Sequence, residues 1–444
     1  MEQTTAKKNK YEIDMCNGTI MDKLISFSLP LMLSGILQLM FNAVDIIVVG
    51  RFSGSQALAA VGSTSALINV FTNLFIGISL GANVLTARFY AAGREKEVSE
   101  TVHTAITLAL VSGIIMALVG LVFSKGALAL MGTPDDVIGL SALYMRIYFL
   151  GMPFFMLYNY GAAILRAVGD TKRPLLFLMI AGVINACLNM VLVIVFKLGV
   201  AGVAIATVIS QMISCVLVLR CLCRSESSYR LRFSELGMKG YYLKQIFSVG
   251  VPAGIQSTVI NISNAMLQSS VNSFGSIAMA GYTASNNIFG FLYVSVNSFT
   301  QACMSFTSQN YGVKKLKRMD RVLIDCMILS VVVTLILGSS VYIFGPELLH
   351  IYSNQADVIK YGMEIFSYTT VTYFLCGLMD LFPGALRGMG YSTVPMILSI
   401  IGTVGVRIIW IYGLFPSHRS LTFLFLSYPV SWLSLIHISE PTRH

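Results

Sequence analysis

Twelve runs of apolar residues, each about as long as a membrane-spanning helix, constrain this 444-residue chain more than any other feature. A helix needs about 20 apolar residues to cross the hydrocarbon core of a bilayer. Strands of a membrane barrel would alternate over about ten residues, whereas these runs are continuously apolar. The chain is therefore predicted to be an all-α polytopic membrane protein with twelve transmembrane helices. They begin near Leu24, Ala57, Val98, Val137, Pro174, Val200, Leu243, Ala278, Met319, Ile359, Val394 and Leu421.

The scarcity of charged residues excludes a water-soluble fold. Only 11% of the residues are charged and 56% are hydrophobic, whereas soluble domains are about 25% charged and about 45–50% apolar. The net charge of +10 would suggest a nucleic-acid partner in a soluble protein. In a membrane protein it reflects cytoplasmic loops, which collect Lys and Arg, so no nucleic-acid partner is expected.

The distribution of basic residues predicts the orientation in the bilayer. Most of the 30 Lys and Arg residues fall in alternate loops, which a cytoplasmic N-terminus would place inside. Because short cytoplasmic loops carry the excess of Lys and Arg, both termini are predicted to be cytoplasmic. We expect a multi-pass protein of the plasma membrane, which is the inner membrane where a cell has two.

The sequence lacks the motifs that carry enzyme chemistry. The eight cysteines include no Cys-x-x-Cys pair and no nearby histidine cluster, so neither a metal site nor a disulfide framework is predicted. There is no Walker loop for ATP and no Ser/His/Asp arrangement. Glycine-rich stretches such as Gly77–Ala82 are interpreted as positions of close helix packing. The chain is therefore not expected to be an enzyme.

The two halves of the chain repeat each other. Pro30 and Pro252 are 222 residues apart, and the turn at Leu165–Gly169 recurs as Leu386–Gly390 at an offset of 221. The longest hydrophilic interruption, Cys221–Gln245, lies at the midpoint. Two lobes with an even number of helices each are related by an axis along the membrane normal, with a substrate cavity between them. The predicted segments are a cytoplasmic tail at 1–19, six-helix lobes at 20–220 and 246–432, and a cytoplasmic linker at 221–245.

The last twelve residues, Leu433–His444, depart from the repeat. The alignment of the halves places Trp432 only halfway along the twelfth helix, so about ten further apolar residues are expected there. The chain instead has His437, Glu440 and Pro441 where lipid-facing residues are expected. We interpret 433–444 as a non-native tail that begins where the natural sequence is interrupted.

Four stretches of the sequence carry a resemblance to a known family. They are Leu29–Gly62, Leu165–Pro174, Gln309–Gly312 and Ala385–Pro395. These stretches resemble transporters of the multidrug and toxic compound extrusion (MATE) family, and the resemblance extends from about Ile20 to Trp432. It implies a V-shaped fold of two lobes that exports amphipathic, often cationic, compounds in exchange for H⁺ or Na⁺.

The first predicted helix carries an acid, Asp45, well inside the span. Charged side chains at the centre of a bilayer are expensive, so the few that are present are functional candidates. Asp45 shares one helix face with three residues at helical spacing, and Pro30 allows this helix to bend. The three residues are Gln38, Phe41 and Asn42.

Polar residues of two further helices can meet Asp45. Asn185 and Asn189 share a face of the fifth helix, and Thr207 lies in the sixth. Together they could surround a small cation with oxygen atoms or share a proton. The same amides and hydroxyl could also join the helices without any role in transport.

The family resemblance favours the transport role. In its DinF-like branch, to which this chain is more similar than to the NorM-like branch, a helix-1 acid, an Asn, a carboxylate four residues on and a Thr match Asp45, Asn185, Asn189 and Thr207. Asn189 departs from that pattern, because it is an amide where relatives often have Asp. The resemblance thus implies an ion-coupling site with one carboxylate instead of two.

The second lobe has a different acid. The repeat places Leu267 at the position of Asp45, while Asp380 lies in the tenth helix. We expect Asp380 either to act in the cavity or to pair structurally with Arg387 or Arg407. Two helix-7 residues, Gln256 and Asn264, are further cavity candidates. In the NorM-like branch Na⁺ is coupled through acids of helices 7 and 10, and Gln256 leaves that pattern incomplete.

The predicted function is a secondary active multidrug efflux antiporter. Its partners are small organic substrates and the lipid bilayer, its only cofactor is the coupling ion, H⁺ or Na⁺, and it is expected to be a monomer. The alternative is a lipid-linked precursor flippase of the same superfamily. A cavity for a pyrophosphate lipid should be lined by several Arg or Lys, and only Arg407 lies in the middle of a span.

Overall fold

The computed structural model describes residues 11–439, apart from a few side chains, and no β-strand occurs in that range. Residues 1–10 of the predicted tail and 440–444 of the predicted non-native segment lie outside the described residues. The first half contains α1 (Met21–Phe52), α2 (Ser55–Ala91), α3 (Glu95–Leu130), α4 (Asp135–Leu150), α5 (Met152–Ala167), α6 (Lys172–Asn189) and α7 (Gly199–Cys223). A π-helical segment, Met190–Val195, continues α6.

The second half begins after a 3-10 turn at Phe233–Glu235. Its helices are α8 (Gly240–Asn272), α9 (Ser276–Gly312), α10 (Leu316–Ile343), α11 (Gly345–His350), α12 (Ala356–Thr369), α13 (Tyr373–Gly388), α14 (Thr393–Ser399), α15 (Val406–Ile409), α16 (Leu421–Phe425) and α17 (Ser427–Ser439). Two π-helical segments flank α15, and a second 3-10 turn follows them. These are Ile400–Gly405, Trp410–Leu414 and Phe415–Ser417.

Every predicted span is helical. Among the described residues, eight helical segments are long and apolar enough to cross a membrane, and the bent pairs α4–α5 and α12–α13 bring the number to ten. The other two predicted spans correspond to α9, which is 37 residues long and rich in Ser and Asn, and to the shorter apolar segment Leu421–Ile436. The chain is an all-α polytopic membrane protein, as predicted.

Two predicted spans are bent pairs of helices instead of single helices. The axes of α4 and α5 meet at 47° around Gly151, and those of α12 and α13 at 53°. Pro153, in the first turn of α5, has no amide hydrogen with which to continue the hydrogen-bond ladder of α4. At the other bend, the hydroxyl groups of Thr369, Thr370 and Thr372 bond back to carbonyls four residues earlier. Such bonds compete with the ladder and bend helices.

The two halves place left-handed turns at equivalent positions. Gly54 and Gly275 precede α2 and α9 with φ of 87° and 98°. Gly169 and Gly390 lie in the turns before α6 and α14 with φ of 96° and 93°. Glycine is favoured in these turns because it has no Cβ to clash at positive φ. Each pair is 221 residues apart, so the repeat seen in the sequence is also present in the backbone.

The described chain forms two compact units. Unit 1 comprises residues 11–14 and Leu33–Gly254, and unit 2 comprises Met15–Met32 and residues 255–439. The divisions fall inside α1 and α8, two residues after Pro30 and two after Pro252. Unit 1 therefore contains the first part of α8, and unit 2 contains the first part of α1. The six-helix lobes at 20–220 and 246–432 stay a prediction.

Inside unit 1, α2 packs backbone to backbone against the first part of α8. A Cβ added to Gly77 would overlap the main chain of Gly254, and one added to Gly81 would overlap the carbonyl of Ile246. Gly77 and Gly81, like Gly250 and Gly254, are four residues apart. Such pairs of small residues let helix backbones approach closely in membranes, which fits the interpretation of the glycine-rich stretch.

The chain between α7 and α8 is bound to α3 within unit 1. The part of the predicted linker that is not α-helical is residues 224–239. The amide of Arg232 donates a hydrogen bond to Nε2 of His103 at 3.0 Å, and the amide of Lys239 donates one to Oγ1 of Thr104 at 3.3 Å. The predicted linker is thus a packed part of this unit.

In unit 2, the end of the predicted N-terminal tail is held by α10. Met15 is fully buried. The guanidinium of Arg318 donates hydrogen bonds to the carbonyls of Met15 at 3.2 Å, Asn17 at 3.0 Å and Gly18 at 2.9 Å. Asn310 and Lys315 also donate to this segment, at the carbonyls of Met15 and Cys16, so Arg318 provides three of several bonds that hold its backbone before α1 begins.

Candidate functional site

Asp45, the acid predicted in the first helix, lies in unit 1 beside α6 and α7. Nδ2 of Asn189 donates a hydrogen bond to Oδ1 of Asp45 and another, at 3.1 Å, to Oδ1 of Asn185. Oγ1 of Thr207 lies 3.5 Å from Oδ2 of Asp45. Asn185 and Asn189 are buried, and Asp45 and Thr207 are partly buried. The structure therefore brings together the four residues predicted to couple the ion.

Oδ2 of Asp45 lacks a well-placed hydrogen-bond donor among the described residues. The hydroxyl of Thr207 carries a single hydrogen. It is 3.0 Å from the carbonyl oxygen of Val203 and 3.5 Å from Oδ2 of Asp45, so the carbonyl is the better acceptor. The hydroxyl oxygen can itself accept a hydrogen bond. A proton on Oδ2 of Asp45 would therefore find an acceptor in Thr207.

A second acceptor at the same place lacks a donor. Oδ1 of Asn189 is buried and has no hydrogen-bond partner in the part of the chain that the structure describes. Buried polar atoms are nearly always paired, so an unpaired one requires an explanation. Within the same residues no group of three or more His, Cys, Asp or Glu could hold a metal ion. The site can hold a proton on Asp45, and it has oxygen atoms for one small cation.

The other candidates on α1 surround Asp45 on the helix surface. Phe41 is partly buried and packs against α6, where a Cβ added to Gly182 would overlap its ring. Gln38 and Asn42 are exposed. Pro30 lies inside the same helix. Because Phe41 is one turn from Asp45, its close contact shows that this part of α1 packs directly on α6.

Two tyrosines of α4 also lie near Asp45, and no sequence pattern pointed to them. The rings of Tyr144 and Tyr148 are stacked, with centroids 6.1 Å apart. Both are close enough to interact electrostatically with Asp45. Their spacing of four residues on one helix is the only signal that could have paired them.

In unit 2, the predicted cavity residue Gln256 is hydrogen-bonded to side chains of two other helices. Its Nε2 donates to Oγ of Ser399 at 2.6 Å, and its Oε1 accepts a hydrogen bond from Arg387. Arg387 acts on Asp380 electrostatically, but no ion pair within 4.0 Å joins them among the described residues. Asp380 therefore stands apart from the bonded pair of Gln256 and Arg387.

Arg407, the other expected partner of Asp380, points elsewhere. It lies in α15 and is only 3% exposed. Its Nη1 donates to Oδ1 of Asn264 at 2.7 Å and lies 3.4 Å from Oγ of Ser263. Its Nε donates to Oγ of Ser431 at 3.3 Å. These partners are neutral, so the positive charge of Arg407 is not balanced by an acid bonded to it within the described part of the chain.

The apolar helices and the equivalent turns define a multi-pass helical membrane protein built from two related halves, with a polar site inside the first. The MatE family model matches residues 30–191 and 252–412. The chain belongs to this family, the multidrug and toxic compound extrusion transporters. Since the two matches begin at Pro30 and Pro252, each half carries one copy of the family's repeated module, and the predicted resemblance is confirmed.

The chain is similar to multidrug resistance proteins over most of its length. It is 32% identical over 391 residues to "Probable multidrug resistance protein YoeA" of Bacillus subtilis strain 168, covering 86% of this chain and 84% of that protein. It is 22% identical over 400 residues to "Multidrug export protein MepA" of Staphylococcus saprophyticus, covering 90% and 88%. A crystal structure of MATE in complex with MaL6 matches with a TM-score of 0.90 at 19% identity, covering 97% of both chains. The last comparison shows that the fold is shared.

Proposed function

We propose that this protein is a secondary active multidrug efflux antiporter that exports amphipathic, often cationic, organic compounds in exchange for H⁺ or Na⁺. Its family and the names of its relatives support drug export. The meeting of Asp45, Asn189 and Thr207 in unit 1 carries the proposal of ion coupling. The protein would act as a monomer in the plasma membrane, with both termini in the cytoplasm and no cofactor besides the ion.

Asp45 would link the ion to the packing of α1. A charged carboxylate inside a bilayer is costly, and the side chains that contact Asp45 through polar atoms are two neutral ones, Asn189 and Thr207. A bound proton or Na⁺ neutralises Asp45 and lowers the cost of enclosing it. The ion-bound protein therefore favours a conformation in which α1 is closed against α6 and α7.

The hydrogen bonds favour a proton over Na⁺. A protonated Asp45 donates from Oδ2 to Thr207, whose own hydrogen is donated to Val203, and it accepts from Asn189 at Oδ1. Every polar atom of the carboxyl group is then paired. A sodium ion would use the same carboxylate and hydroxyl oxygens, and the amide of Asn189 would have to turn its unpaired Oδ1 toward the ion.

Exchange follows if the ion and the substrate favour different conformations. Pro30 interrupts the hydrogen-bond ladder of α1 and lets that helix bend. Ion binding from outside would close α1 and expel the substrate, and inward opening would release the ion to the cytoplasm. Each ligand then weakens the binding of the other by the same factor, because the linkage between two binding sites is reciprocal.

The alternative of a lipid-linked precursor flippase has less support. A pyrophosphate head group is bound by several basic side chains together. In unit 2 the guanidinium of Arg387 is bonded to Gln256, and that of Arg407 to Asn264. Each arginine is thus bonded to its own neutral partner, and the two do not share a site in which a pyrophosphate would be bound by both.

The test is transport by the purified protein in liposomes. A pH gradient or a Na⁺ gradient is imposed, and the uptake of a fluorescent amphipathic cation is followed. Uptake driven by the pH gradient without Na⁺ supports H⁺ exchange, and uptake that requires the Na⁺ gradient supports Na⁺ exchange. If neither gradient moves a cation that the protein binds, the proposed antiport is wrong.

A further inference from the structure

Arg407 in unit 2 and Asp45 in unit 1 occupy sites built from equivalent helices. The repeat relates α1 to α8, α6 to the helical segment that contains α15, and α7 to α17. Three positions on these helices, each in or beside one of the two sites, correspond at offsets of 221 or 222 residues. The pairs are Asn42 and Asn264, Ala186 and Arg407, and Thr207 and Tyr428. One unit thus places an acid among neutral polar groups, and the other places a base there.

We propose that Arg407 binds the carboxylate group of an amphipathic organic substrate. A buried ion without an opposite charge is unfavourable, and an ionisable residue within a membrane span marks a site whose partner has to be found. The groups bonded to Arg407 are an amide and hydroxyls, which satisfy its hydrogens without balancing its charge. A negatively charged group of the transported molecule would supply that balance.

The free hydrogens of the guanidinium suit a carboxylate. Nη1 is bonded to Asn264, while the bonds to Ser263 and Ser431 are long, at 3.4 and 3.3 Å. The hydrogens of Nη2 have no acceptor among residues 11–439. Guanidinium groups bind carboxylates through two parallel hydrogen bonds. One carboxylate oxygen can be bound by Nη2, and the other can replace one of the two long bonds.

The surroundings of Arg407 suit the apolar part of such a molecule. The guanidinium carbon lies 4.9 Å from the centre of the Tyr428 ring. The hydroxyl of Tyr428 is 2.8 Å from that of Tyr282, whose ring is stacked on Phe425. An aromatic surface therefore adjoins the positive charge. The flanking segments of Arg407 are π-helical, a local geometry that is frequent at functional sites.

A single arginine also limits the ligand class. One guanidinium pairs with one carboxylate, whereas a phosphate-rich head group requires several cations. The inference rests on the proposed export of amphipathic compounds and adds acids and zwitterions to the substrates. Cationic substrates would not use Arg407.

The experiment measures equilibrium binding to the purified full-length protein in lipid nanodiscs, in a low-chloride buffer. The probes are naphthalene-1-acetate and its neutral amide, which differ only in the charged group. The variants are Arg407→Gln, which removes the charge, Arg407→Lys, which keeps it, and Asn264→Asp, which gives Arg407 an internal carboxylate. Binding of the amphipathic cation tetraphenylphosphonium reports that each variant is folded.

We expect the wild type to bind the acid at least about tenfold more tightly than the amide, as one charge-assisted hydrogen bond provides. Arg407→Gln and Asn264→Asp should remove this preference, and Arg407→Lys should keep part of it. Equal binding of the acid and the amide, or an undiminished preference in Arg407→Gln, overturns the proposal. Full competition by chloride at the concentration of the acid would assign the site to inorganic anions and overturn the assignment to carboxylates.

The proposed antiport can fail separately. Loss of gradient-driven tetraphenylphosphonium export in the wild type, with the preference for the acid intact, contradicts the antiport alone. Normal export with no preference for the acid contradicts the carboxylate site alone.

Discussion

Oγ1 of Thr207 lies 3.5 Å from Oδ2 of Asp45 and 3.0 Å from the carbonyl oxygen of Val203. A hydroxyl has one hydrogen but can both donate and accept. Thr207 can therefore donate to the carbonyl one helical turn earlier and accept a hydrogen bond from a protonated Asp45. The contact joins α1 to α7, so in the proposed mechanism the protonation of Asp45 would change how these two helices pack.

Replacing Asp45 by Asn tests the coupling role directly. Asn has nearly the same size and fixes the neutral form, so ion binding can no longer drive the conformational change. We expect Asp45→Asn to abolish export driven by a pH gradient in vesicles while substrate binding stays largely intact. The two measurements are gradient-driven flux and equilibrium binding of the same fluorescent cation.

The matched control for that variant is Asp380→Asn. Asp380 is the acid of unit 2, and no hydrogen bond or ion pair within 4.0 Å places it in a site like that of Asp45 among the described residues. Its replacement should reduce transport less. Normal gradient-driven export by Asp45→Asn would contradict the proposed mechanism, whatever Asp380→Asn does.

We expect the transport rate to depend on the hydroxyl group of Thr207 and not on its methyl group. In Thr207→Val the acceptor for a protonated Asp45 is lost, and transport at a fixed pH gradient should fall about fivefold, the factor that corresponds to about 1 kcal/mol for one hydrogen bond. Thr207→Ser keeps the hydroxyl and should transport within about twofold of the wild type. Initial rates in proteoliposomes decide this, and equal losses in both variants would show that shape, not hydrogen bonding, is what matters.

The contact between α2 and α8 predicts a difference between two glycines of one helix. Gly81 faces the carbonyl of Ile246, whereas a Cβ on Gly62 would meet nothing within 4 Å. Gly81→Ala should therefore destabilise the protein by about 1–3 kcal/mol through overpacking. Gly62→Ala should leave the stability unchanged or raise it slightly, because Ala favours helix. Thermal unfolding in detergent measures both, and equal melting temperatures would contradict the close packing.

Arg318 is expected to order the chain before α1. In Arg318→Ala the carbonyl of Gly18 loses the donor that Arg318 supplies, and those of Met15 and Asn17 keep the bonds from Asn310 and Lys23. Amide hydrogen exchange over Met15–Gly18 should accelerate by about tenfold or more, since exchange reports local opening. Lys317→Ala is the matched control, because Lys317 is the exposed neighbour on the same helix. Equal exchange rates in the two variants would show that other contacts hold this segment.

The helices and the Asp45 site could be predicted because both depend on local properties of the sequence. The length of an apolar run determines whether a helix can span the bilayer. A spacing of four residues places Asn185 and Asn189 on one face, whatever the rest of the fold does. The family resemblance then indicated that this face meets Asp45, and the hydrogen bond of Asn189 agrees.

The partners of the arginines could not be predicted in the same way. Arg407 was one of two arginines considered as a partner of Asp380, and it is bonded to Asn264. Which side chain faces which depends on the rotation of each helix about its axis and on side-chain direction. The sequence spacing does not determine these. The bend between α12 and α13 is similar, because three threonines that bond back to the chain look no different in sequence from threonines that do not.

The division of α1 and α8 between the units has a consequence for how the polypeptide must be assembled. Unit 2 contains Met15–Met32, which is synthesised near the start of the chain, and residues 255–439, which are synthesised last. It therefore cannot be completed until almost the whole chain has been made. Unit 1 requires Gly240–Gly254, which lies beyond the predicted lobe boundary. The two halves therefore exchange segments within one molecule, as the protomers of a domain-swapped dimer do between molecules. If the chain were cut in the linker, the first fragment would lack Gly240–Gly254, which unit 1 requires, and the second would lack Met15–Met32, which unit 2 requires. Only the two fragments together contain both complete units.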